Sequence, residues 1–188
     1  MNNRIGSEPL WASLERKYCT QPAELTLVAG SKIEGYASLF GVPDQGGDIV
    51  ESGAYGASLR SLQASKRRVK MLWQHEPREP IGVWDAVSED NQGLFVRGRL
   101  LTDVARAREA AALIEAGAID GLSIGYRTVR ATKDSHGRRI LNEVDLWEVS
   151  LVTFPMLPDA RVDARCSESD WASLKADIDA ARHMFAGI

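Results

Sequence analysis

Residues 69–101 read VKMLWQHEPREPIGVWDAVSEDNQGLFVRGRLL, and the fold class turns on this stretch. VKMLWQ is an apolar run of strand length that stops at His75. EPREP is a turn-rich link. IGVWDAVS and LFVRGRLL have strand character, and EDNQG between them predicts a hairpin. Upstream, IEGYASLF (33–40) predicts another strand. It runs into the turn-forming loop GVPDQGGD and a short helix capped by Ser52, with Tyr55, Leu59 and Leu62 at i, i+4 and i+7. Downstream, DVARAREAAALIEAG predicts a helix with Thr102 as N-cap, Asp103 at the positive end of the dipole and Gly117 as the stop. GLSIGYRTVRA (121–131) alternates and is rich in β-branched residues. KDSHGRR is a polar turn, and ILNEVDLWEVSLVTF holds one or two strands ended by Pro155 and Pro158. Six or more short strands around one internal helix predict an α+β, mainly β fold: a mostly antiparallel sheet or small barrel with helices outside.

Beyond this region the texture changes. Residues 1–31 are polar and broken by Pro9, Pro22 and Gly30, and are expected to form a loosely ordered arm. A single domain is expected over 32–165. Over 166–188, Trp171, Leu174, Ile178, Ala181 and Phe185 recur at gaps of 3 and 4, the seam of a helix that packs on the barrel or on a partner helix. The chain has 188 residues, 44% hydrophobic and 26% charged, an ordinary globular balance. Its 23 Lys and Arg against 26 Asp and Glu give a net charge of −3, which excludes a globally basic nucleic-acid binder as the default and leaves a local basic patch open. No apolar run reaches the ~18–20 residues that span a bilayer, and MNNRIGSEPLWASLERKY lacks a signal-type apolar region, so neither a membrane span nor secretion is expected. The two cysteines, Cys19 and Cys166, make neither a disulfide framework nor a zinc spacing, and no metal or cofactor is expected.

Three kinds of side chain could carry chemistry. His75 closes an apolar strand, where a rigid scaffold can present a catalytic group, yet a half-buried histidine with one hydrogen bond fits the same position. His136 lies in a polar turn and His183 beside the terminal seam, and both read as bland. Ser123 sits in Gly121-Leu122-Ser123-Ile124-Gly125. This is formally G-x-S-x-G, but the elbow of α/β hydrolases needs a strand before the serine and a helix after it, and here the helix comes first. The alternative is a serine in a glycine-flanked strand that another backbone approaches closely. Glu148 lies in DLWEVSLVTF, where burial is costly unless the carboxylate is paired. Strict alternation would place Leu146, Glu148 and Ser150 on one face and Trp147, Val149 and Leu151 on the other, leaving Glu148 either paired or simply solvated. Glu143 and Asp145 are solvated candidates of the same kind. The basic run Lys66-Arg67-Arg68-Val69-Lys70 reads as a solvated helix end, or as a contact for an acidic partner or for nucleic acid.

Four blocks taken in order, IEGYASLFGVPDQGGDIVESGAY, VKMLWQHEPREPIGVW, the helix leading into GLSIGYR, and LWEVSLVTFPMLPDARV, resemble the prohead serine proteases of tailed bacteriophages from about residue 33 to 162. Two departures are visible. Met156 and Leu157 stand between the prolines of the last block, where a small residue and Asn are usual, and Tyr55 stands where Phe is more common. The resemblance implies a fold similar to herpesvirus assemblin, a small, mostly antiparallel β-barrel surrounded by helices. In that clan the catalytic order is His, then Ser, then a third member. Here it implies His75 as general base and acid, Ser123 as nucleophile and Glu148 as the group that orients His75. The loop around Thr153 to Pro155 is a candidate source of oxyanion donors. The implied substrates are a scaffold segment or scaffold protein, the extension of the major capsid subunit, and the protease itself, cut inside the procapsid in the bacterial host cytoplasm. Residues from Ser169 onwards would then be a dimer or docking helix, or a processed tail. Two other readings compete: a non-catalytic capsid-assembly module on the same fold, and an α/β-hydrolase esterase suggested by GLSIG alone.

Overall fold

Nine strands of one mixed sheet dominate the chain, seen in a computed structural model that describes residues 14–18, 26–28, 31–44 and 46–153. In chain order the strands are β1 (Glu15–Tyr18), β2 (Thr26–Val28), β3 (Lys32–Leu39), β4 (Ile49–Val50), β5 (Lys70–Trp73), β6 (Glu76–Glu89), β7 (Gly93–Leu100), β8 (Gly121–Lys133) and β9 (Arg139–Val152). The helices among the described residues are α1 (Gly56–Ala64) and α2 (Ala105–Glu115). The sheet order is β1-β8-β9-β5-β6-β7-β3-β2, with β4 also paired to β9. β4 and β5 run parallel to β9; the other pairings between these strands are antiparallel. The sheet curls so that β3 packs near β8, a half-barrel. The mainly β, mostly antiparallel expectation therefore holds.

The apolar face of the curl is the core. Ile33, Ile81, Leu94, Val96, Ile124, Leu141 and Leu151 are buried there, closed over by Tyr55 and Leu62 at α1 and by Ala107, Ala110 and Ile114 of α2. Shortening a fully enclosed side chain leaves a cavity the sheet cannot collapse, so Leu94→Ala is expected to cost about 2–5 kcal/mol. A lower urea midpoint at unchanged m-value would register it.

Several local expectations shift. Residues 1–31, read as an irregular arm, contribute β1 and β2 to the sheet. Ser52 does not cap α1: the helix begins at Gly56 behind Tyr55, with no side-chain cap. Thr102 does not cap α2, which starts three residues later behind Val104. Gly117 does end α2, at φ +68, a conformation glycine adopts without steric cost. EPREP is not a link but the start of β6. Its prolines are tolerated because the β5–β6 register slips on both sides of Leu72, which pairs with Pro80. The expected 166–188 helix, both cysteines, His183, Pro155, Met156, Leu157 and Pro158 lie outside the described residues.

Candidate functional site

The turn between β5 and β6 is only two residues long. Trp73 pairs with Glu76, and Gln74 and His75 between them have φ +51 and +60. Positive φ at both central positions is the signature of the primed hairpin turn that matches strand twist, normally filled by Asn-Gly. Two non-glycine residues held there cost on the order of 1–3 kcal/mol each, so the surroundings must impose the shape. They do. The Gln74 backbone N–H donates to Leu151 O at 2.9 Å, and its side chain donates to Thr153 Oγ1 at 2.6 Å. Thr153 N–H returns a bond to Gln74 Oε1 at 3.3 Å. The turn is thereby clamped to the end of β9, and His75 is held over that strand.

Below it, β9 presents Glu148 and Ser150. His75 Nδ1 lies 2.6 Å from Glu148 Oε1, and the two residues are 6% and 5% exposed. Ser150 Oγ donates to Glu148 Oε2 at 2.5 Å and accepts the His75 backbone N–H at 3.2 Å. Both carboxylate oxygens thus accept hydrogen bonds, which is how a buried carboxylate offsets its desolvation. With the carboxylate accepting, Nδ1 carries the ring hydrogen, and Nε2 is the nitrogen suited to taking a proton.

Ser123 is on the neighbouring strand. In the β8–β9 ladder Ser123 pairs with Ser150 and Gly125 with Glu148. Directly opposed residues project to the same face with Cβ atoms about 4.5–5.5 Å apart. Ser123 therefore shares a face with Ser150 and Glu148, and it is fully buried. Gly125 explains the second glycine of GLSIG: a Cβ there would stand 2.1 Å from Glu148 Oε1. What approaches is the Glu148 side chain, not another backbone.

A bulge sets this arrangement. Between Gly125↔Glu148 and Tyr126↔Leu146 the register skips Trp147. Alternation resets there, so Leu146 joins Val149 and Leu151 in the core while Trp147 lines the same cavity as Glu148. The strict alternation expected for DLWEVSLVTF fails at this residue, and the solvated reading of Glu148 fails with it. The cavity, about 130 Å³, is bounded by Leu14, Lys70, Leu72, His75, Pro77, Trp147 and Glu148.

The other candidates lie elsewhere. His136 is exposed in the β8–β9 turn, Asp145 pairs with Arg127, and Glu143 lies near Arg130. Lys66, Arg67 and Arg68 are exposed between α1 and β5. β8 continues as a strand through Ser123 to Lys133 with no helix behind it, which excludes a nucleophile elbow and with it the esterase reading. Ser150 and Gln74 were not singled out by sequence. The only signal for Ser150 was its i+2 spacing from Glu148, and Gln-His gives no hairpin-turn signal. No cluster of metal-ligating side chains occurs among the described residues, and none of their helices is long and apolar enough to cross a membrane.

Residues 20–174 match the caudovirus prohead serine protease family. The chain belongs to that family. It is 36% identical over 137 residues to the prohead protease of Enterobacteria phage HK97, covering 70% of this chain and 58% of that relative. The chain thus spans less than two thirds of the relative's length. Among solved structures, the bacteriophage T4 capsid assembly protease matches with a TM-score of 0.59 at 20% identity, over 76% of this chain and 98% of that one. The two share a fold. The varicella-zoster virus protease matches at TM-score 0.39 and 15% identity, over 73% of this chain and 64% of that one. Ser123 and Glu148 lie on the paired strands β8 and β9, and His75 reaches Glu148 from the β5–β6 turn.

Proposed function

We propose that this chain is a serine endopeptidase of phage capsid maturation, with Ser123 as nucleophile, His75 as general base and acid, and Glu148 as the residue that orients His75. The observation that carries the proposal is the buried His75 Nδ1–Glu148 contact on the strand that pairs Ser150 with Ser123. A serine hydroxyl is a weak nucleophile until a base accepts its proton. His75 Nε2 takes that proton as Ser123 Oγ attacks the scissile carbonyl, then gives it to the leaving amine. Glu148 holds the tautomer and stabilises the imidazolium without taking the proton. Water cleaves the acyl-enzyme by the same relay. Oxyanion donors would come from near the end of β9, but not from Thr153 N–H, which is engaged by Gln74.

The substrates fit the family: a scaffold segment or scaffold protein, the extension of the major capsid subunit, and the chain itself, within the procapsid in the bacterial host cytoplasm. Co-expression with the partner capsid protein, read by intact mass, tests this. A subunit shortened by wild type but not by Ser123→Ala supports the proposal. A subunit left whole by both, in assembled particles, points to a non-catalytic assembly module.

Ser150→Ala is a sharper test of the support beneath the pair. It leaves the buried His75 N–H without its acceptor and Glu148 short of one bond. We expect about 2 kcal/mol of lost stability, since each unsatisfied buried group costs about 1–3 kcal/mol, and roughly 10–100-fold lower kcat at nearly unchanged KM. A full-rate Ser150→Ala enzyme would show that the hydroxyl only fills space.

A further inference from the structure

β5 pairs with β6 only as far as Lys70 opposite Val83. The stretch of β6 that follows, residues 84–87, keeps β7 on one side and has no strand on the other among the described residues. A groove of about 500 Å³ opens along that edge, between residues 84–87, the face of α1 that carries Leu59, and residues 67–69 leading into β5. Its floor is apolar, made by the half-buried Leu59 and Val87 together with Val69 and Trp84. Its rim is basic. Arg60 stands on α1, and Arg67 and Arg68 follow the turn at Lys66, which has φ +54. All three arginines are exposed, and none pairs with a carboxylate among the described residues. The acid in the lining, Asp85, is already held by Arg99. In a chain of net charge −3 this is a local concentration of positive charge.

We propose that this groove is a docking site for an extended acidic segment of a partner protein, one whose carboxylates alternate with aliphatic side chains. An open sheet edge takes an incoming peptide as a further strand. Successive side chains of that strand point to opposite faces, so one set meets the apolar floor while the other meets the arginines. A guanidinium fork matches a carboxylate in shape as well as in charge. Nucleic acid fits less well. Single-stranded bases bind by stacking on exposed aromatic faces. The ring in this groove, Trp84, is 4% exposed, and its indole N–H is spent on Val149 O at 3.2 Å. The groove shares no lining residue with the cavity beside His75, so what docks here is held away from the proposed triad and does not depend on it.

Fluorescence anisotropy of the fluorescein-labelled peptide EVEVEVEV, titrated with the full chain, tests this. Saturable binding is expected, and added salt should weaken it. Arg67→Glu/Arg68→Glu should weaken it about tenfold or more, because attraction at the rim becomes repulsion. Arg60→Glu, on the α1 wall, should weaken it too, and carries the test alone if the double variant does not fold. KVKVKVKV lacks the charge and ESESESES the aliphatic groups, and both should bind about tenfold more weakly or worse. Ser123→Ala should bind EVEVEVEV as wild type does. No saturable binding, equal binding of KVKVKVKV, or full affinity in folded charge-reversed variants overturns the site. So does loss of binding in Ser123→Ala, which would move the probe to the catalytic cavity. Oligothymidine bound more tightly than EVEVEVEV overturns the peptide assignment and makes the groove a nucleic-acid contact. Each of these outcomes leaves the protease reading to the cleavage test of Ser123→Ala.

Discussion

Ser123→Ala is expected to reduce cleavage of the capsid subunit about 10⁶-fold, and His75→Ala nearly as much. Losses of that size follow removal of the nucleophile or base of another serine protease's triad, where the acid costs about 10⁴. The two changes should not add. Once the nucleophile is gone the base has no proton to take, so Ser123→Ala/His75→Ala should be no slower than either single variant. Glu148→Ala should fall between these and wild type in rate. It also leaves His75 buried without its carboxylate, and breaking a buried pair costs about 3–5 kcal/mol. Single-turnover cleavage of purified capsid subunit measures all four variants. A Ser123→Ala enzyme within tenfold of wild type would remove the nucleophile assignment. Full activity in Glu148→Ala combined with its loss in Asp145→Ala would move the third role to Asp145.

Gly125→Ala should yield a folded, nearly inactive protein. The added methyl would sit 2.1 Å from Glu148 Oε1, 2.8 Å from its Cδ and 2.9 Å from its Cγ, so the carboxylate must leave its place under His75. The expected loss is about 10³–10⁴ in kcat, close to that of losing the acid altogether. Gly137→Ala is the control. Gly137 has φ +81, and a Cβ there would meet nothing within 4 Å, so a methyl strains a surface turn by about 1 kcal/mol and leaves the rate alone. Wild-type cleavage by Gly125→Ala would mean that the Glu148 position is not needed for the reaction.

What could be read in the sequence follows the physics of its signals. Long alternating or apolar runs such as IEGYASLF and GLSIGYRTVRA gave strands, because burial on one or both faces leaves a period that does not depend on context. Two kinds of feature escaped. Helix starts are not legible: Ser52 and Thr102 look like caps, yet α1 and α2 begin behind Tyr55 and Val104 with no side-chain cap. Register breaks were invisible. Nothing in DLWEVSLVTF announces a bulge at Trp147, although that one skipped pairing turns Glu148 away from the core and toward His75. Likewise Gln-His lacks the residues of a tight hairpin, so the proline-bearing start of β6 reads as a loop. Position along the chain gave the three proposed catalytic residues only through resemblance. Their meeting depends on pairings between distant segments, which periodicity cannot report.

That dependence has a kinetic consequence. His75 hangs from the β5–β6 turn, Ser123 lies on β8 and Glu148 on β9, and the parallel contact of β5 with β9 joins stretches more than seventy residues apart. Distant pairings close late, because the loop entropy must be overcome before the contacts return anything. Neither a chain still emerging from the ribosome nor one lacking β9 has both halves of the His75–Glu148 pair. On the proposed triad, proteolytic competence comes only with the completed sheet, because a half-folded copy lacks the paired base.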